Sequence, residues 1–300
     1  MSSADFANNR DNYCYRHPDR QSFVLCQRCL RTICAECQTP AAVGVVCPEC
    51  MKAQQSAQTT AQRKAERRWR SRAPQPVLVG DTRPLATYAI IGLTAIAYFI
   101  ALIPGIGTTV ERFLFFWAPS LYPSLTGLFE PWRIVTVSLT HSSIWHIALN
   151  MLALWMIGRS LEPLLGRGRF VALYLLSTAG GSVAVTLLSF ETPVVGASGA
   201  IFGLFGALLV IGRHIGANIT SIAVILGINL AIGFLPGANI SWQAHVGGLV
   251  IGALVGFIFT RTRGKDQRRR QIALLSAVGG GLVVLLIIPV FTTVPAYLGV

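Results

Sequence analysis

Long apolar blocks bracketed by charged residues constrain this chain more than any other feature of its sequence. They cover roughly 85–103, 141–158, 170–190, 194–212, 215–235, 240–260 and 272–290. Each is about 17 to 25 residues long, the length that an α-helix needs to cross the hydrocarbon core of a bilayer. Hydrophobic residues make up 53% of the chain and charged residues only 12%. The sequence therefore predicts an all-α polytopic membrane protein with seven spans.

The distribution of positive charge predicts the orientation of these spans. Residues 1–50 carry many charges and no apolar core of the signal-peptide type, so we expect the amino terminus to lie in the cytoplasm. On that assumption, most arginines of the membrane part fall in cytoplasmic loops, and the opposite loops hold only Arg112 and Arg133 as cations. The positive-inside rule then agrees with seven spans in a plasma membrane of the bacterial type.

The net charge of +13 has two candidate explanations. A basic stretch at residues 63–72 lies immediately before the first span, where anionic lipid headgroups attract arginine and lysine. Nucleic-acid binding is the alternative, and we do not expect it because this stretch adjoins the membrane. The lipid bilayer is therefore the predicted partner of these charges.

All seven cysteines lie in the first 50 residues and are spaced as metal ligands. With one histidine they form four pairs, each with two residues between its members. The pairs are Cys14 with His17, Cys26 with Cys29, Cys34 with Cys37, and Cys47 with Cys50. Eight such ligands complete two tetrahedral Zn²⁺ sites, which staple a segment too short to build a core. Disulfides are disfavoured because the number of cysteines is odd and the cytoplasm is reducing.

This spacing resembles that of B-box-type zinc fingers. The resemblance implies interleaved ligand sets: Cys14, His17, Cys34 and Cys37 on one ion, and Cys26, Cys29, Cys47 and Cys50 on the other. The short connection between Cys29 and Cys34 also favours interleaving, while sequential pairing stays open. Sites with four protein ligands are structural. We therefore expect residues 1–50 to bind a cytoplasmic protein partner or to regulate the membrane domain, and not to catalyse a reaction. Residues 51–84 are predicted to be a basic, partly helical linker.

The polar residues within the spans restrict the chemistry of the chain. The predicted spans contain no Asp, Glu or Lys, which excludes an aspartyl dyad, a His-Glu-x-x-His metal site and a Ser-Lys pair. Polar side chains that remain include Ser198, His141, His146, Asn150 and His245. A serine nucleophile activated by one histidine is the hydrolytic chemistry that they support most directly, and it needs no cofactor.

Ser198 and His245 are predicted to lie at one depth in the bilayer. Arg213 follows Ser198 by 15 residues and Arg261 follows His245 by 16. These separations correspond to about 22 and 24 Å along two helices. If both arginines lie at the same membrane face, the hydroxyl and the imidazole are level.

Small residues on the fourth and sixth spans would let these two helices approach closely. The glycines are Gly196, Gly199, Gly203 and Gly206 on the fourth span, and Gly248, Gly252 and Gly256 on the sixth. Such a pattern usually indicates packing alone, but here it ends at the two reactive groups.

Further residues are expected to stabilise an oxyanion. A helix that begins at Ser198 directs its first backbone amides and its dipole toward the developing charge. His146 and Asn150 are four residues apart and therefore share one face of the second span. Counting back from Arg159 makes His146 level with Ser198 and places Asn150 one turn deeper.

Residues along the membrane part form a set that is typical of one protein family. They are Trp132, Arg133, His141, His146, Asn150, Gly158, Leu161, Glu162, Leu165, Gly166, Phe170, Tyr174, Gly196–Gly199, Ala244, His245, Gly248 and Gly252. With this set, residues 85–290 resemble the rhomboid intramembrane serine proteases. The resemblance implies a six-helix bundle plus a seventh C-terminal helix, a Ser198–His245 dyad, and a membrane-embedded first loop. It also implies lateral access for a substrate helix past the fifth span, with residues 236–243 as a cap. His141, His146, Asn150, Gly196 and Gly199 are the expected supporting residues.

The sequence and the resemblance together predict an endopeptidase that cuts transmembrane segments of membrane proteins near the outer face. The scissile peptide must leave its helix, because helical amides and carbonyls are engaged internally. One alternative is a non-catalytic rhomboid-like scaffold that binds transmembrane clients, although such proteins usually lack the serine or the histidine. A transporter is the other alternative, but we find no internal repeats in the sequence. Residues 291–300 are a short tail.

Overall fold

The computed structural model describes residues 9–41, 44–57, 83–235 and 240–299. The chain divides into two compact units, residues 1–80 and 81–300. Most of the predicted linker, residues 58–82, lies outside the described residues, as do residues 236–239 of the predicted cap.

The small unit is built around its cysteines and contains little regular secondary structure. Strands β1 (Thr39–Pro40) and β2 (Val45–Val46) pair antiparallel, and helix α1 spans Pro48–Ser56. The sulfur of Cys47 caps α1 by accepting a hydrogen bond from the amide of Cys50. Helix α1 therefore crosses the predicted domain boundary at residue 50. Five of the seven cysteines are buried together with Ile33 and Val46, so the ligand clusters form the core of this unit.

The large unit is helical throughout its described part. Its longer helices are α2 (Leu85–Ala101), α3 (Gly107–Leu114), α6 (Ile144–Leu165), α7 (Arg167–Leu188), α8 (Ser198–His214), α9 (Thr220–Ile232), α10 (Trp242–Arg261) and α11 (Arg268–Leu285). The short ones are α4 (Pro123–Thr126), α5 (Arg133–Thr136), α12 (Ile288–Phe291) and α13 (Thr293–Leu298). Short 3₁₀ turns occur at Ala118–Leu121, Val137–Leu139 and Lys265–Gln267.

Each of the seven predicted apolar blocks overlaps one of the longer helices, namely α2 and α6 to α11, and the last block also reaches the start of α12. In the described part of the chain, α6, α7, α10 and the stretch Arg268–Leu298 are long and apolar enough to cross a membrane. Helices α2, α8 and α9 are apolar but shorter. With 13 residues, α9 is about 20 Å long, which is less than the block at 215–235 predicted. The chain is a multi-pass membrane protein, and these four stretches are the candidate spans among the described residues.

The second predicted span differs from the prediction at its start. Helix α6 begins at Ile144, because the side chain of Ser143 caps it by accepting a hydrogen bond from the amide of His146 at 3.1 Å. His141 therefore precedes the helix, and the expectation that it lies within the second span is wrong.

The same helix continues past its predicted end, through Pro163 to Leu165. Glu162 in this last turn is only 2% exposed. Its carboxylate accepts hydrogen bonds from the backbone amides of Ala86 (2.9 Å) and Thr87 (2.8 Å) and from the hydroxyl of Thr87 (2.7 Å). Glu162 thus caps the first turn of α2 from a neighbouring helix, which fixes the position of α2 against α6.

The predicted contact between the fourth and sixth spans is confirmed in α8 and α10. A Cβ atom on Gly248 would overlap the carbonyl oxygen of Gly199, and one on Gly252 would overlap that of Gly203. A Cβ on Gly256 would lie 2.7 Å from Cα of Ala207. We call these facing residues the glycine seam. Helix α7 also packs closely against α10, because a Cβ on Gly247 would overlap the carbonyl oxygen of Gly180, a contact that the sequence did not predict.

The connection between α2 and α6 folds into α3, α4, α5 and two 3₁₀ turns. Phe116 is fully buried, and Tyr122 is nearly so. Arg133 pairs with Glu130 at 2.7 Å and also donates to the carbonyl oxygen of Phe115 at 2.8 Å. The aromatic segment therefore packs into a buried cluster that it shares with α7, and it is not an ordinary loop. Its position in the membrane stays a prediction.

Candidate active site

The structure brings Ser198 and His245 together at the tops of α8 and α10. Nε2 of His245 lies 2.8 Å from Oγ of Ser198, which is the distance of a hydrogen bond. His245 is 6% exposed, and its Nδ1 has no hydrogen-bond partner within the described residues. The glycine seam begins one residue after the serine and three after the histidine, so the closest helix contact adjoins the reactive pair. This arrangement suits a dyad without a carboxylate.

The backbone before Ser198 adopts a conformation that requires glycine. Gly196 has a φ angle of +119°, which side-chain-bearing residues rarely adopt. A Cβ atom at this position would also lie 2.9 Å from the ring of His146. Ser198 is the first residue of α8, so the first amides of the helix, including that of Gly199, have no partner within it.

His146 lies on the first turn of α6, with its ring against Gly196. Oγ of Ser142 is 3.1 Å from Nδ1 of His146, so Nε2 is the nitrogen that remains for a ligand. Asn150 is one turn further along α6 and is 8% exposed. Its side-chain amide donates to the carbonyl oxygen of His146 at 2.8 Å. One of its two N–H groups is therefore engaged within its own helix.

His141 contacts the same segment from the loop before α6. Its Nε2 accepts a weak hydrogen bond of 3.4 Å from the amide of Ala197. Its ring packs edge-on against His146, with 5.0 Å between the ring centroids. His141 therefore supports the backbone next to Ser198 and lies beside the ring of His146.

Phe202 is a site residue that the sequence analysis did not identify. Its ring stacks on the imidazole of His245, with 4.0 Å between centroids and an angle of 10° between the planes. Phe202 follows Ser198 by four residues, and this spacing places both on one face of α8. The spacing was the signal in the sequence that could have identified Phe202. The stacking restricts the orientation of the His245 ring.

A cavity of about 1320 Å³ adjoins the reactive pair and extends between α6, α8, α9 and α10. Its lining runs along α6 from His146 to Ser160, which is about 21 Å along the helix axis. The wall is mostly apolar and includes Leu149, Phe205 and Ile225. A cavity of this length and polarity fits an extended or helical apolar chain.

The small unit contains two groups of metal-binding side chains. They are Cys14, His17, Cys34 and Cys37, and Cys26, Cys29, Cys47 and Cys50, with all ligand atoms of each group within 4.8 Å of one another. The grouping is the interleaved one. All seven thiols are free.

The distances within these groups fit a tetrahedral zinc ion. Two sulfurs bound to Zn²⁺ at about 2.3 Å lie about 3.8 Å apart. The sulfurs of Cys29 and Cys47 are 3.7 Å apart. In the other group, Nδ1 of His17 lies 3.8, 3.3 and 3.5 Å from the sulfurs of Cys14, Cys34 and Cys37. Both groups could therefore hold a metal ion.

The pKa values of the thiols agree with cation binding. Burial opposes ionisation of Cys26, but backbone N–H donors from Cys29, Cys47 and Arg28 outweigh it and lower the pKa of this thiol to about 6. In contrast, a hydrogen bond to Cys47, together with burial, raises the pKa of Cys50 to about 12. Repulsion between thiolates prevents four sulfurs this close from all being ionised in the absence of a cation. A bound divalent cation would neutralise their charge and allow all four to ionise.

The family model of the Rhomboid domain matches residues 128–262. The chain carries a domain of the rhomboid family. "Rhomboid protease GluP" of Bacillus subtilis is 38% identical over 189 residues, which are 60% of this chain and 36% of that protein. "RHOMBOID-like protein 1" of Arabidopsis thaliana is 39% identical over 137 residues, or 43% of this chain and 35% of that protein.

Relatives of the rhomboid domain also occur in mitochondria, since "Rhomboid protein 1, mitochondrial" of Saccharomyces cerevisiae is 31% identical over 154 residues, 46% of this chain and 44% of that protein. The chain spans between about a third and a half of the length of these relatives. The matched rhomboid domain contains His141, His146, Asn150, Ser198 and His245. The cysteine groups and helices α11 to α13 lie outside it.

Proposed function

We propose that residues 85–290 form an intramembrane serine endopeptidase, with Ser198 as the nucleophile and His245 as the general base. The observation that carries this proposal is the 2.8 Å distance between Nε2 of His245 and Oγ of Ser198 at the end of a long apolar cavity. Membership in the rhomboid family and the similarity to a named rhomboid protease support it.

In the proposed reaction, Oγ of Ser198 attacks the scissile carbonyl carbon while His245 takes the hydroxyl proton. The tetrahedral intermediate collapses, the C–N bond breaks, and His245 returns that proton to the leaving amine. Water then attacks the acyl-enzyme ester, with His245 again as base, and releases the carboxylic acid and Ser198. No carboxylate contacts the imidazole among the described residues, and the stacked Phe202 takes over one task of the triad acid by restricting the orientation of the ring.

The oxyanion would lie between the start of α8 and the ring of His146. The free amides at the helix start, including those of Ser198 and Gly199, and the positive end of the helix dipole provide one side. Nε2 of His146 provides the other, since Ser142 engages its Nδ1. Asn150 has one N–H group left and is the weaker donor. Gly196 and His141 act by holding the backbone.

The substrates that we propose are transmembrane segments of membrane proteins, reached through the cavity between α6 and α9. Its apolar lining and its length of about 21 Å support this substrate class. We further propose a plasma-membrane location, a cytoplasmic amino terminus and seven spans, on the charge distribution described above. The cut would then fall near the outer face, at a site with helix-weakening residues.

We also propose that residues 1–50 form a B-box-like domain with two structural Zn²⁺ ions, joined by the linker 51–84 to the membrane domain. The distances within the two ligand groups support this proposal. Such a domain would bind a cytoplasmic protein and would not take part in the cleavage. Elemental analysis of the purified full-length protein should find about two zinc atoms per chain, fewer in Cys26→Ser, and an unchanged number in the control Ser56→Ala. Absence of zinc from the wild type would contradict it.

Cleavage of a model transmembrane substrate by the purified full-length protein tests the endopeptidase proposal. Ser198→Ala and His245→Ala should each lower kcat at least about 10³-fold. Ser276→Ala, at an exposed position of α11, and His214→Ala, in the last turn of α8, are matched controls and should cleave like the wild type. Equal cleavage by all five proteins contradicts the dyad. Binding of the substrate without cleavage by the wild type favours the scaffold.

A further inference from the structure

The segment after α11 is mostly exposed but contains two buried side chains. Helix α11 ends at Leu285. Beyond it, Pro289 and Val294 are buried, whereas Val290 and Phe291 are 43% and 78% exposed. The segment therefore contacts the rest of the large unit through a few side chains. We call Leu286–Leu298 the C-terminal segment.

The C-terminal segment is attached to the folded connection between α2 and α6. The hydroxyl of Tyr122 donates a hydrogen bond of 2.8 Å to the carbonyl oxygen of Leu286, directly after α11 ends. The ring of Phe190 packs between Tyr122 and Tyr297, with centroids 5.5 and 6.3 Å away. Val294 belongs to the same buried cluster as Tyr122 and Phe190. We call this cluster the loop core.

The loop core also contacts both chain segments that carry the reactive pair. Val194, two residues before Gly196, and Ala244, next to His245, pack against it. The amide of Phe116 donates to the carbonyl of Val194 at 3.0 Å, and the amide of Val194 donates back at 2.8 Å. The amide of Gly196 donates to the carbonyl of Val137, another member of the loop core, at 3.1 Å.

We propose that the C-terminal segment positions the oxyanion site, with Tyr122 and Val294 as positioning residues that act through the loop core on Val194–Gly196. The inference rests on the proposed peptidase function and assigns a role to the part of the chain after the sixth span. A small displacement of Val194–Gly196 moves the donors around the oxyanion, and displacements near 1 Å lower rates by up to about 10²-fold. No residue of this segment lines the apolar cavity, and Val194–Gly196 line it next to Ser198, so a displacement there acts at the reactive end.

The test compares Val294→Ala with the control Val290→Ala, which lies on the same segment and is 43% exposed. We expect Val294→Ala to lower kcat about 10-fold with KM within about 2-fold of the wild type, and Val290→Ala to change neither. Hydrogen exchange at the amides of Val194 and Gly196 should become faster in Val294→Ala and stay unchanged in Val290→Ala. The conservative Val294→Ile should retain wild-type kcat.

A second variant tests the same inference in case Val294→Ala does not fold. Tyr122→Phe removes only the hydrogen bond to Leu286, and Tyr88→Phe on the exposed face of α2 is its control. We expect Tyr122→Phe to lower kcat and to speed exchange at Val194 and Gly196, with a thermal unfolding temperature close to that of the wild type. Unchanged exchange in both variants, or a change in KM alone, overturns the inference. A wild type without cleavage refutes the peptidase, while the exchange measurements still test the positioning.

Discussion

Helix α8 has two sides that are packed in opposite ways. Against α10, its glycines leave so little space that single Cβ atoms would overlap the partner backbone. Against α9, the structure leaves part of a cavity of about 1320 Å³, and most side chains of α9 are exposed. The close side holds the hydroxyl and the imidazole at a fixed distance. The open side admits a long apolar chain, so rigidity and access are separated on one helix.

The largest effect should come from replacing one glycine by valine on the close side of α8 and comparing it with the same replacement on the open side. Gly252→Val should destabilise the membrane domain by about 3 kcal/mol or more and abolish cleavage, because the new Cβ overlaps the backbone of Gly203. Gly227→Val on α9 meets no atom within 4 Å and should change stability by less than about 0.5 kcal/mol. Thermal unfolding in one detergent and labelling of Ser198 with a fluorophosphonate measure both effects. Equal losses would refute the distinction between the two sides.

The contact between α6 and α2 should be nearly as sensitive to substitution as the glycine seam. Glu162→Gln replaces a carboxylate that accepts three hydrogen bonds from Ala86 and Thr87 with a group that brings its own N–H donors. We expect a loss of about 2 kcal/mol in the free energy of unfolding, read from the thermal or denaturant midpoint. The exposed Glu191→Gln serves as the control. A stability within error of the wild type would show that α2 is held by other contacts.

Phe202 belongs to both sides of α8, because it stacks on His245 of α10 and also lines the cavity. Phe202→Leu keeps an apolar side chain of similar size but removes the flat ring, whose stacking is worth about 0.5–1.5 kcal/mol. We expect kcat to fall about 2- to 10-fold, with an unchanged unfolding temperature. Phe257→Leu, at an exposed position of α10, is the control. Full activity in Phe202→Leu would remove the ring from the proposed machinery.

Substitutions on the open side, in α9, should have the smallest effects on stability and cleavage. Ile225 on α9 is 51% exposed and lines the cavity. Ile225→Ala should leave the free energy of unfolding within about 0.5 kcal/mol of the wild type. KM for a transmembrane substrate should change more than kcat. The exposed Val283→Ala on α11 is the matched control, and a selective fall in kcat for Ile225→Ala would contradict a role in access alone.

Features that repeat along the chain were predictable from the sequence. The apolar blocks located the helices, and the glycine spacing predicted the contact between α8 and α10. Spacing also suggested the interleaved cysteine groups. Each of these depends on a period or on a pair of neighbouring residues, so local information was sufficient.

Features that depend on distant contacts were not predictable. Glu162 is satisfied by amides 75 and 76 residues away, and nothing near it in the sequence indicates them. The start of α6 depends on the capping side chain of Ser143, so His141 was misplaced. The length of α9 was overestimated because apolar composition continues beyond both helix ends. The stacking of Phe202 depends on the rotamers of two residues on different helices.

The alternation of the two cysteine groups along residues 14–50 has a consequence for how this unit would bind two metal ions. The chain between His17 and Cys34 contains Cys26 and Cys29, and the chain between Cys29 and Cys47 contains Cys34 and Cys37. Closing either set therefore draws the members of the other set toward one another and lowers the entropy that their own closure must overcome. Binding of the first ion should favour the second, so that the unit converts between an empty, open chain and a doubly loaded fold with few singly loaded molecules.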